Sequence, residues 1–389
     1  METVVWGNTQ AREDLKAFTL NRRNLTPFDV LIKIISCGIC HSDIHHKNNA
    51  WGDVNFPLVP GHEMGGVVIG VGSNVTQFKI NDRVMVGNMV DSCGHCTYCA
   101  KSKEEYCANV VSWVYNGRER VFADGSRSLR PESEKTYGGY SGKIVVQEKF
   151  VFKLPDKLDI YKSTPLLCAG ITMYAPLKDY QMGKGHKVAI SGIGGLGHLG
   201  IKFAKALGAE VTAITTSEWK VNDMTRLGAD NVILMNQKLV DALEGLVKID
   251  MEKPLSVNEQ TALSDPNTAM LARKYRDYFD MIISTVPISF DPTPYLRLIK
   301  PWEGKLHIVG NMNDFLNLQG LKFVFQGKNI TSSNIGGLAD TKEMLLFCEK
   351  HNIQSDIEMI TPTEINTSMV KVQNKQVKYR FVIDLSSLN

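Results

Sequence analysis

The segment HKVAISGIGGLGHLGIKFAKALGAEVTAITTS, residues 186–217, decides the fold. It reads as an apolar strand, a glycine turn, an amphipathic helix and a second apolar strand, the order of a strand–helix–strand crossover. In the helix Leu196, Leu199, Phe203 and Leu207 recur at i, i+3 and i+4 spacings, and Gly208 supplies the stop. Downstream, NVILM, FDMIISTV, GKLHIVG and NITSSNIGG are further candidate strands, separated by stretches long enough for helices. The second half of the chain therefore predicts an α/β unit with a doubly wound parallel sheet, a Rossmann domain.

The glycine turn carries the first functional reading. Gly192, Gly194 and Gly197 form G-x-G-x-x-G after a strand and at the start of a helix, the context in which that pattern has meaning. The first glycine permits a tight turn, the second lets backbone approach a pyrophosphate at the helix N-terminus, and the third allows close packing of helix on strand. Gly192, Gly194, Gly195, Leu196 and Gly197 are accordingly candidate cofactor contacts. Where the second strand ends, an Asp or Glu would bind the ribose 2′-hydroxyl of NAD. The sequence there is AITTSEWK, with Thr215, Thr216 and Ser217 as hydroxyl donors and Lys220 within reach. Small donors plus a cation suit the 2′-phosphate of NADP. The other reading is that Glu218 turns inward onto a ribose.

Upstream of this unit the pattern is different. DVLIKIISCG, GGVVIGVG, DRVMVG and GKIVVQEKFVFKLP are short β-branched runs bounded by turn residues, as in a compact barrel-like fold. The division is expected near 163/164, with a β-rich first domain over residues 1–163, the nucleotide domain over 164–335, and residues 336–389 completing the first domain, where VKYRFVIDLSS reads as a last strand. Residues 236–278 are long, polar and only partly periodic, and read as a surface elaboration.

At 389 residues the chain is long enough for two such domains. A formal charge of +3 with both signs interspersed gives no basic stripe for nucleic acid. The start METVVWGNTQ lacks the features of a secretory signal, and no apolar run reaches bilayer length, so a soluble cytoplasmic protein is expected.

That expectation bears on the eight cysteines, because cysteines at motif spacing in a reducing compartment are more often ligands than disulfides. Cys93, Cys96, Cys99 and Cys107 follow C-x2-C-x2-C-x7-C, close enough for one loop to wrap four thiolates around a tetrahedral zinc. With every position filled by sulfur, such an ion holds structure and does no chemistry; an iron–sulfur cluster or four unconnected thiols are the other readings of that loop. Cys40 in CGICHSDIHH, His62 in VPGHEMGG and Cys168 in PLLCAG make a second set, Cys2His, the ligand combination of a catalytic zinc with an open fourth position. Buried structural thiols and a satisfied histidine are the other reading of those three residues.

CGICHSDIHH, PGHEMGGVV, the four-cysteine loop, TYGGYSGKIVV, PLLCAGITMYAPLK, GIGGLGHLGIKFAKALGA, LGADNVI and the terminal YRFVID stand in one order over nearly the whole chain. In this the chain resembles the zinc-containing medium-chain alcohol dehydrogenases, and most of all their cinnamyl alcohol dehydrogenase branch. Its departures are residues 236–278 and an extended loop at 116–135. The resemblance implies a GroES-like catalytic domain, a catalytic zinc on Cys40, His62 and Cys168, and a structural zinc on the four-cysteine loop. It makes Glu63 a carboxylate able to approach the metal during ligand exchange and Asp43 the group that orients His62. Ser42 and His45 become a proton relay, and His41 a neighbour of the cofactor pyrophosphate. Trp51, Trp113 and Tyr115 become candidate walls of the substrate pocket, and NITSSNIGG resembles the edge strand that pairs in homodimers.

The implied chemistry is reversible hydride transfer between NADP(H) and primary alcohols or aldehydes, aromatic or allylic ones among them, with zinc as Lewis acid. A polyol or secondary-alcohol dehydrogenase of the same superfamily stays open, as does a non-catalytic zinc-stabilised module that binds nucleotide. The module needs one zinc and leaves Cys40, His62, Cys168, Ser42 and His45 without a purpose.

Overall fold

The computed structural model describes residues 1–120, 134–310 and 327–388. Of the extended loop read at 116–135, residues 121–133 lie outside the described residues, and so does the side chain of Lys220. The chain forms two compact units, Met1–Ile171 with Ile335–Asn389, and Thr172–Asn334. The sequence places the division at 163/164. In the structure the turn Thr164–Leu167 stays with the first unit, where the Thr164 hydroxyl lies 2.7 Å from that of Ser36.

In the second unit six strands run parallel in the order Asn231–Leu234, Glu210–Thr215, Lys187–Ser191, Met281–Ser284, Lys305–Ile308 and Asn329–Ser332. The order reverses at Lys187–Ser191, so the switch point of the sheet is the strand from which the glycine turn emerges. Helix Gly197–Ala206 buries Leu199 and Phe203 of the predicted stripe completely, together with Ile201, while Leu196 and Leu207 flank it half-buried, and Gly208 at φ +90° ends it.

Residues 236–278 fold as three helices, Gln237–Asp250, Val257–Ser264 and Pro266–Tyr275. Each start is capped: Asn236 accepts from Leu239 N, Ser256 and Glu259 form a reciprocal box, and Asp265 accepts from Asn267 N and Thr268 N. The stretch is more than a surface elaboration. Leu239, Ala242, Leu243 and Leu246 join Ile214, Ile233, Ile282 and Leu306 in the core of the sheet, an apolar stripe hidden in the sequence by the Asp, Glu and Lys between its members.

The first unit is built on strand Asp29–Gly38, which pairs antiparallel with Met64–Val71, Lys143–Gln147 and Arg380–Asp384. Strands Arg83–Val86 and Val151–Lys153 extend the sheet on one side and Ile357–Ile360 on the other. Val30, Ile32 and Ile34 alternate inward from the central strand and are buried. Because Arg380–Asp384 pairs with that strand, the C-terminal YRFVID lies beside the segment that carries Cys40. Among the described residues, no helix is long and apolar enough to cross a membrane.

Candidate active site

Cys40 ends the central strand's run and begins helix His41–Lys47, whose third residue is Asp43. Asp43 accepts from Cys40 N at 2.9 Å, closing the first turn on itself, and from Gly61 N at 3.0 Å. It thereby ties this helix to the VPGHE segment that carries His62. His62 Nδ1 lies 3.0 Å from Asp43 Oδ1, and a carboxylate oxygen only accepts, so Nδ1 carries a hydrogen. The other ring nitrogen, Nε2, is buried and has no hydrogen-bond partner among the described residues.

That orphan has company. The ligand atoms of Cys40, His62, Glu63 and Cys168 all lie within 4.8 Å of one another, and all four residues are buried. The hydrogen bond between the two thiols holds Cys40 well below the ordinary thiol range and Cys168 well above it. Burial pushes His62 down, but Asp43 and Cys40 outweigh it and hold the imidazole well above its usual value. A metal ion binding here displaces protons from these groups. Two sulfurs and an imidazole nitrogen are the donor set of a catalytic zinc, and an unpartnered buried Nε2 between thiols is what such an ion satisfies. The residues fit the metal.

Glu63 is held away from that role. Both its oxygens bond Arg380 Nη2, at 2.6 and 2.5 Å. Burial pushes the carboxyl up to about 7 against the pull of Arg380. Arg380 had no role in the sequence reading, and the signal was its place in YRFVID.

The remaining predicted residues are more loosely gathered. Ser42 Oγ is 3.9 Å from Cys40 Sγ, and its carbonyl accepts from His46 Nδ1 at 2.8 Å. His45 is half-buried with its ring 5.1 Å from that of Trp51, and burial pulls its pKa below the usual imidazole value. His41 is exposed, its ring 6.3 Å from that of His45. Trp51 packs edge-on against His46 at 4.6 Å. Tyr115, expected as a pocket wall, is buried, and its hydroxyl lies 3.2 Å from His62 Nδ1. Trp113 is half-buried and borders a cavity of about 380 Å³ with Asp53, Asn116 and Arg118.

The four-cysteine loop closes as its spacing predicts. Cys93, Cys96, Cys99 and Cys107 bring their sulfurs within 4.8 Å of one another. Backbone N–H groups of Cys93, Cys96 and Ala108 each approach a sulfur at 3.4 Å, as suits thiolates. Burial pushes the Cys93 thiol up, yet hydrogen bonds from His95, Asn109 and Cys96 bring it down to about 5. The loop then docks on helix Leu338–His351, whose Leu338 N donates to Glu104 Oε2 at 3.1 Å.

In the second unit the glycine turn is an open cradle. Gly192 takes φ +84°, and a Cβ on Gly197 would sit 2.2 Å from the Gly192 carbonyl oxygen. A Cβ on Gly194 would meet none of the described residues within 4 Å. The backbone is thus tight beneath the turn and clear above Gly194, a shape that fits a dinucleotide pyrophosphate. At the end of strand Glu210–Thr215, Thr215 Oγ1 accepts from Ser217 N at 3.0 Å, while Thr216 and Glu218 are exposed.

Residues 26–156 match the alcohol dehydrogenase GroES-like domain family, and residues 195–350 match the zinc-binding dehydrogenase family. The chain is 41% identical over 390 residues to NADP-dependent alcohol dehydrogenase C 1 of Mycolicibacterium smegmatis, covering 100% of this chain and 99% of that one. Among solved structures it is similar to a cinnamyl alcohol dehydrogenase of Sorghum bicolor, with a TM-score of 0.83, 34% identity, and 100% and 98% of the two chains covered. It is equally similar to the CAD of Helicobacter pylori complexed with NADP(H), with a TM-score of 0.83, 32% identity, and 100% and 99% covered. Matched in both domains and aligned end to end with such relatives, the chain belongs to the zinc-containing medium-chain alcohol dehydrogenases, in their cinnamyl alcohol dehydrogenase-like branch, and is an oxidoreductase acting on alcohols.

Proposed function

We propose that the protein interconverts primary alcohols and aldehydes, aromatic and allylic ones included, with NADP(H) as its nucleotide. The observation that carries this reading is His62 Nε2, buried without a partner among the described residues and close to the thiols of Cys40 and Cys168, in a chain whose other unit presents an open glycine cradle. When bound, zinc supplies Lewis-acid polarisation of the substrate oxygen and the nicotinamide supplies or accepts the hydride.

The chain's own residues do the rest. Cys40, His62 and Cys168 hold the ion, and Asp43 fixes the imidazole through Nδ1. Arg380 keeps the Glu63 carboxylate occupied, which leaves the fourth position to substrate. Ser42 takes the alcohol proton, and His45, half-buried beside Trp51, passes it toward water. Gly192 to Gly197 receive the pyrophosphate. Thr216, Ser217 and Lys220 receive the 2′-phosphate, a preference supported by the absence of any carboxylate in Glu210–Thr215 beyond its first residue. Trp51, Trp113 and the ring of Tyr115 bound the substrate. Cys93, Cys96, Cys99 and Cys107 hold a second, structural zinc.

The protein acts as a cytoplasmic homodimer in this reading. Among the described residues, strand Asn329–Ser332 is paired on one side only, which supports pairing with a second copy. All eight cysteines are free thiols, which suits a reducing compartment.

The test is the initial rate of NADPH oxidation with cinnamaldehyde, benzaldehyde and a short aliphatic aldehyde, each repeated with NADH. Turnover with NADPH and little with NADH is expected. No turnover with either nucleotide, from protein shown to hold both zincs, would overturn the substrate class.

A further inference from the structure

Asp43 is surrounded far more fully than orienting one imidazole requires. It is wholly buried, and no lysine or arginine among the described residues pairs with it. Instead two backbone N–H groups, a phenol and the His62 imidazole fill its lone pairs. Cys40 N and the Tyr140 hydroxyl approach Oδ2 at 2.9 and 3.1 Å, and Gly61 N and His62 Nδ1 approach Oδ1 at 3.0 Å each.

The backbone is shaped to deliver Tyr140. Residues 59–61 and 138–140 run side by side, with Gly138 N donating to Val59 O at 2.8 Å, Gly139 N to Gly61 O at 2.8 Å and Tyr140 N to Pro60 O at 3.0 Å. Glycines permit the approach. A Cβ on Gly138 would lie 2.3 Å from the Pro60 carbonyl oxygen, and one on Gly61, at φ +102°, would lie 2.6 Å from the Tyr140 ring.

Tyr115 brings a second phenol. Its hydroxyl is 3.2 Å from His62 Nδ1 and 3.5 Å from His46 Nδ1. Both nitrogens already point a hydrogen at groups that only accept, the Asp43 carboxylate and the Ser42 carbonyl, so neither can receive the phenolic proton. Burial, and after it the charge of Asp43, hold the Tyr115 phenol well above its usual pKa, so its hydrogen stays on the oxygen beside His62.

We propose that Tyr140, by donating to Asp43, and Tyr115, by setting its hydroxyl against His62, are positioning residues of the metal centre: they fix the orientation of the Asp43–His62 pair and limit how much charge it passes to the ion. The inference rests on the zinc reading of Cys40, His62 and Cys168. A carboxylate behind a ligating imidazole raises the ligand's basicity, and each further donor to that carboxylate draws charge off it. With both phenols in place, His62 keeps its Nδ1 hydrogen and the ion stays the stronger Lewis acid. With a phenol removed, more charge reaches the metal and its hold on the substrate oxygen weakens.

The experiment compares Tyr140→Phe, Tyr115→Phe and the wild type, each as zinc holoenzyme and with cobalt exchanged into the Cys40–His62–Cys168 site. Both variants should keep two metal ions per chain, one for each cluster. In Tyr140→Phe the cobalt d–d absorption should shift, and kcat/KM for alcohol oxidation should fall about tenfold with a larger primary deuterium isotope effect. Tyr115→Phe should move the same readouts in the same direction. Cobalt bands identical to wild type in both variants would overturn the proposal, whatever the activity. So would loss of the metal from a folded variant whose remaining bound fraction keeps the wild-type spectrum, since that is a structural role alone. Because the cobalt band needs neither substrate nor nucleotide, it tests the network even if the alcohol and NADP readings fail.

Discussion

Glu63 gives both carboxylate oxygens to Nη2 of Arg380, at 2.6 and 2.5 Å, across 317 positions of sequence. Both residues are buried, and Glu63 stands within 4.8 Å of the ligand atoms of Cys40, His62 and Cys168. The pair therefore joins the C-terminal strand to the metal cluster.

Arg380→Leu should leave the Glu63 carboxyl buried without its partner, a loss of about 3–5 kcal/mol when one side of a buried pair is removed. It should also free Glu63 to compete for the fourth ligand position, so turnover should fall while zinc content holds. Adding Glu63→Gln to Arg380→Leu should recover part of the thermal stability, because the uncompensated charge is gone. Thermal unfolding of the two variants checks this. A double variant no more stable than Arg380→Leu would show that the pair's charge is not what matters.

Cys96→Ser should remove one metal ion and leave one, because the two sulfur-bearing clusters share no residue. The loop carrying it docks through Glu104 on Leu338 N, so its loosening should lower the unfolding temperature of the first unit. Cys40→Ala should remove the other ion, abolish turnover and spare the loop. Metal counts on both variants check the assignment. A protein that holds one zinc before either change would favour a module stabilised by a single site.

Much of this arrangement is legible in the sequence, and the illegible part has a common cause. Local spacing predicts the four-cysteine site, the glycine turn and every strand of the parallel sheet, because each is a short-range pattern. Partners that meet through tertiary folding are not local. Arg380 reaches Glu63 only because its strand pairs with Asp29–Gly38, and Tyr140 reaches Asp43 only because two glycine-bearing segments run together. Helix Gln237–Asp250 was obscured in another way, by the charged residues that cover its outer face while Leu239, Leu243 and Leu246 are buried beneath.

His307 should make the stability of the second unit depend on pH. It is buried between strands, with Nδ1 and Nε2 each 2.9 Å from the hydroxyls of Thr331 and Ser333. Burial pulls its pKa down to about 4, below the usual value of about 6.5. The unfolded chain therefore binds a proton more readily than the folded one between those values. The stabilisation is complete above pH ~6.5 and is lost as pH falls toward ~4, by up to about 3 kcal/mol. His307→Gln should flatten that part of the curve. Parallel stability curves for variant and wild type from pH 6.5 to 4.5 would exclude His307 as the source.

Two neighbouring glycines should fail in different ways. A Cβ on Gly197 would lie 2.2 Å from the Gly192 carbonyl oxygen and 3.1 Å from its carbon, so in Gly197→Ala the helix and the turn must part. That variant should lose thermal stability and NADPH binding together. A Cβ on Gly194 meets no atom of the described residues within 4 Å, so Gly194→Ala should fold as the wild type does. Its methyl group instead enters the space through which backbone N–H groups approach the pyrophosphate, and the Kd for NADPH should rise at least about tenfold, or 1.4 kcal/mol. Calorimetric titration with NADPH, alongside thermal unfolding, separates the two. If Gly194→Ala bound NADPH as tightly as the wild type, the clear space above the turn would not be where the pyrophosphate lies, since a methyl group there could not go unnoticed by a ligand that packs against the backbone.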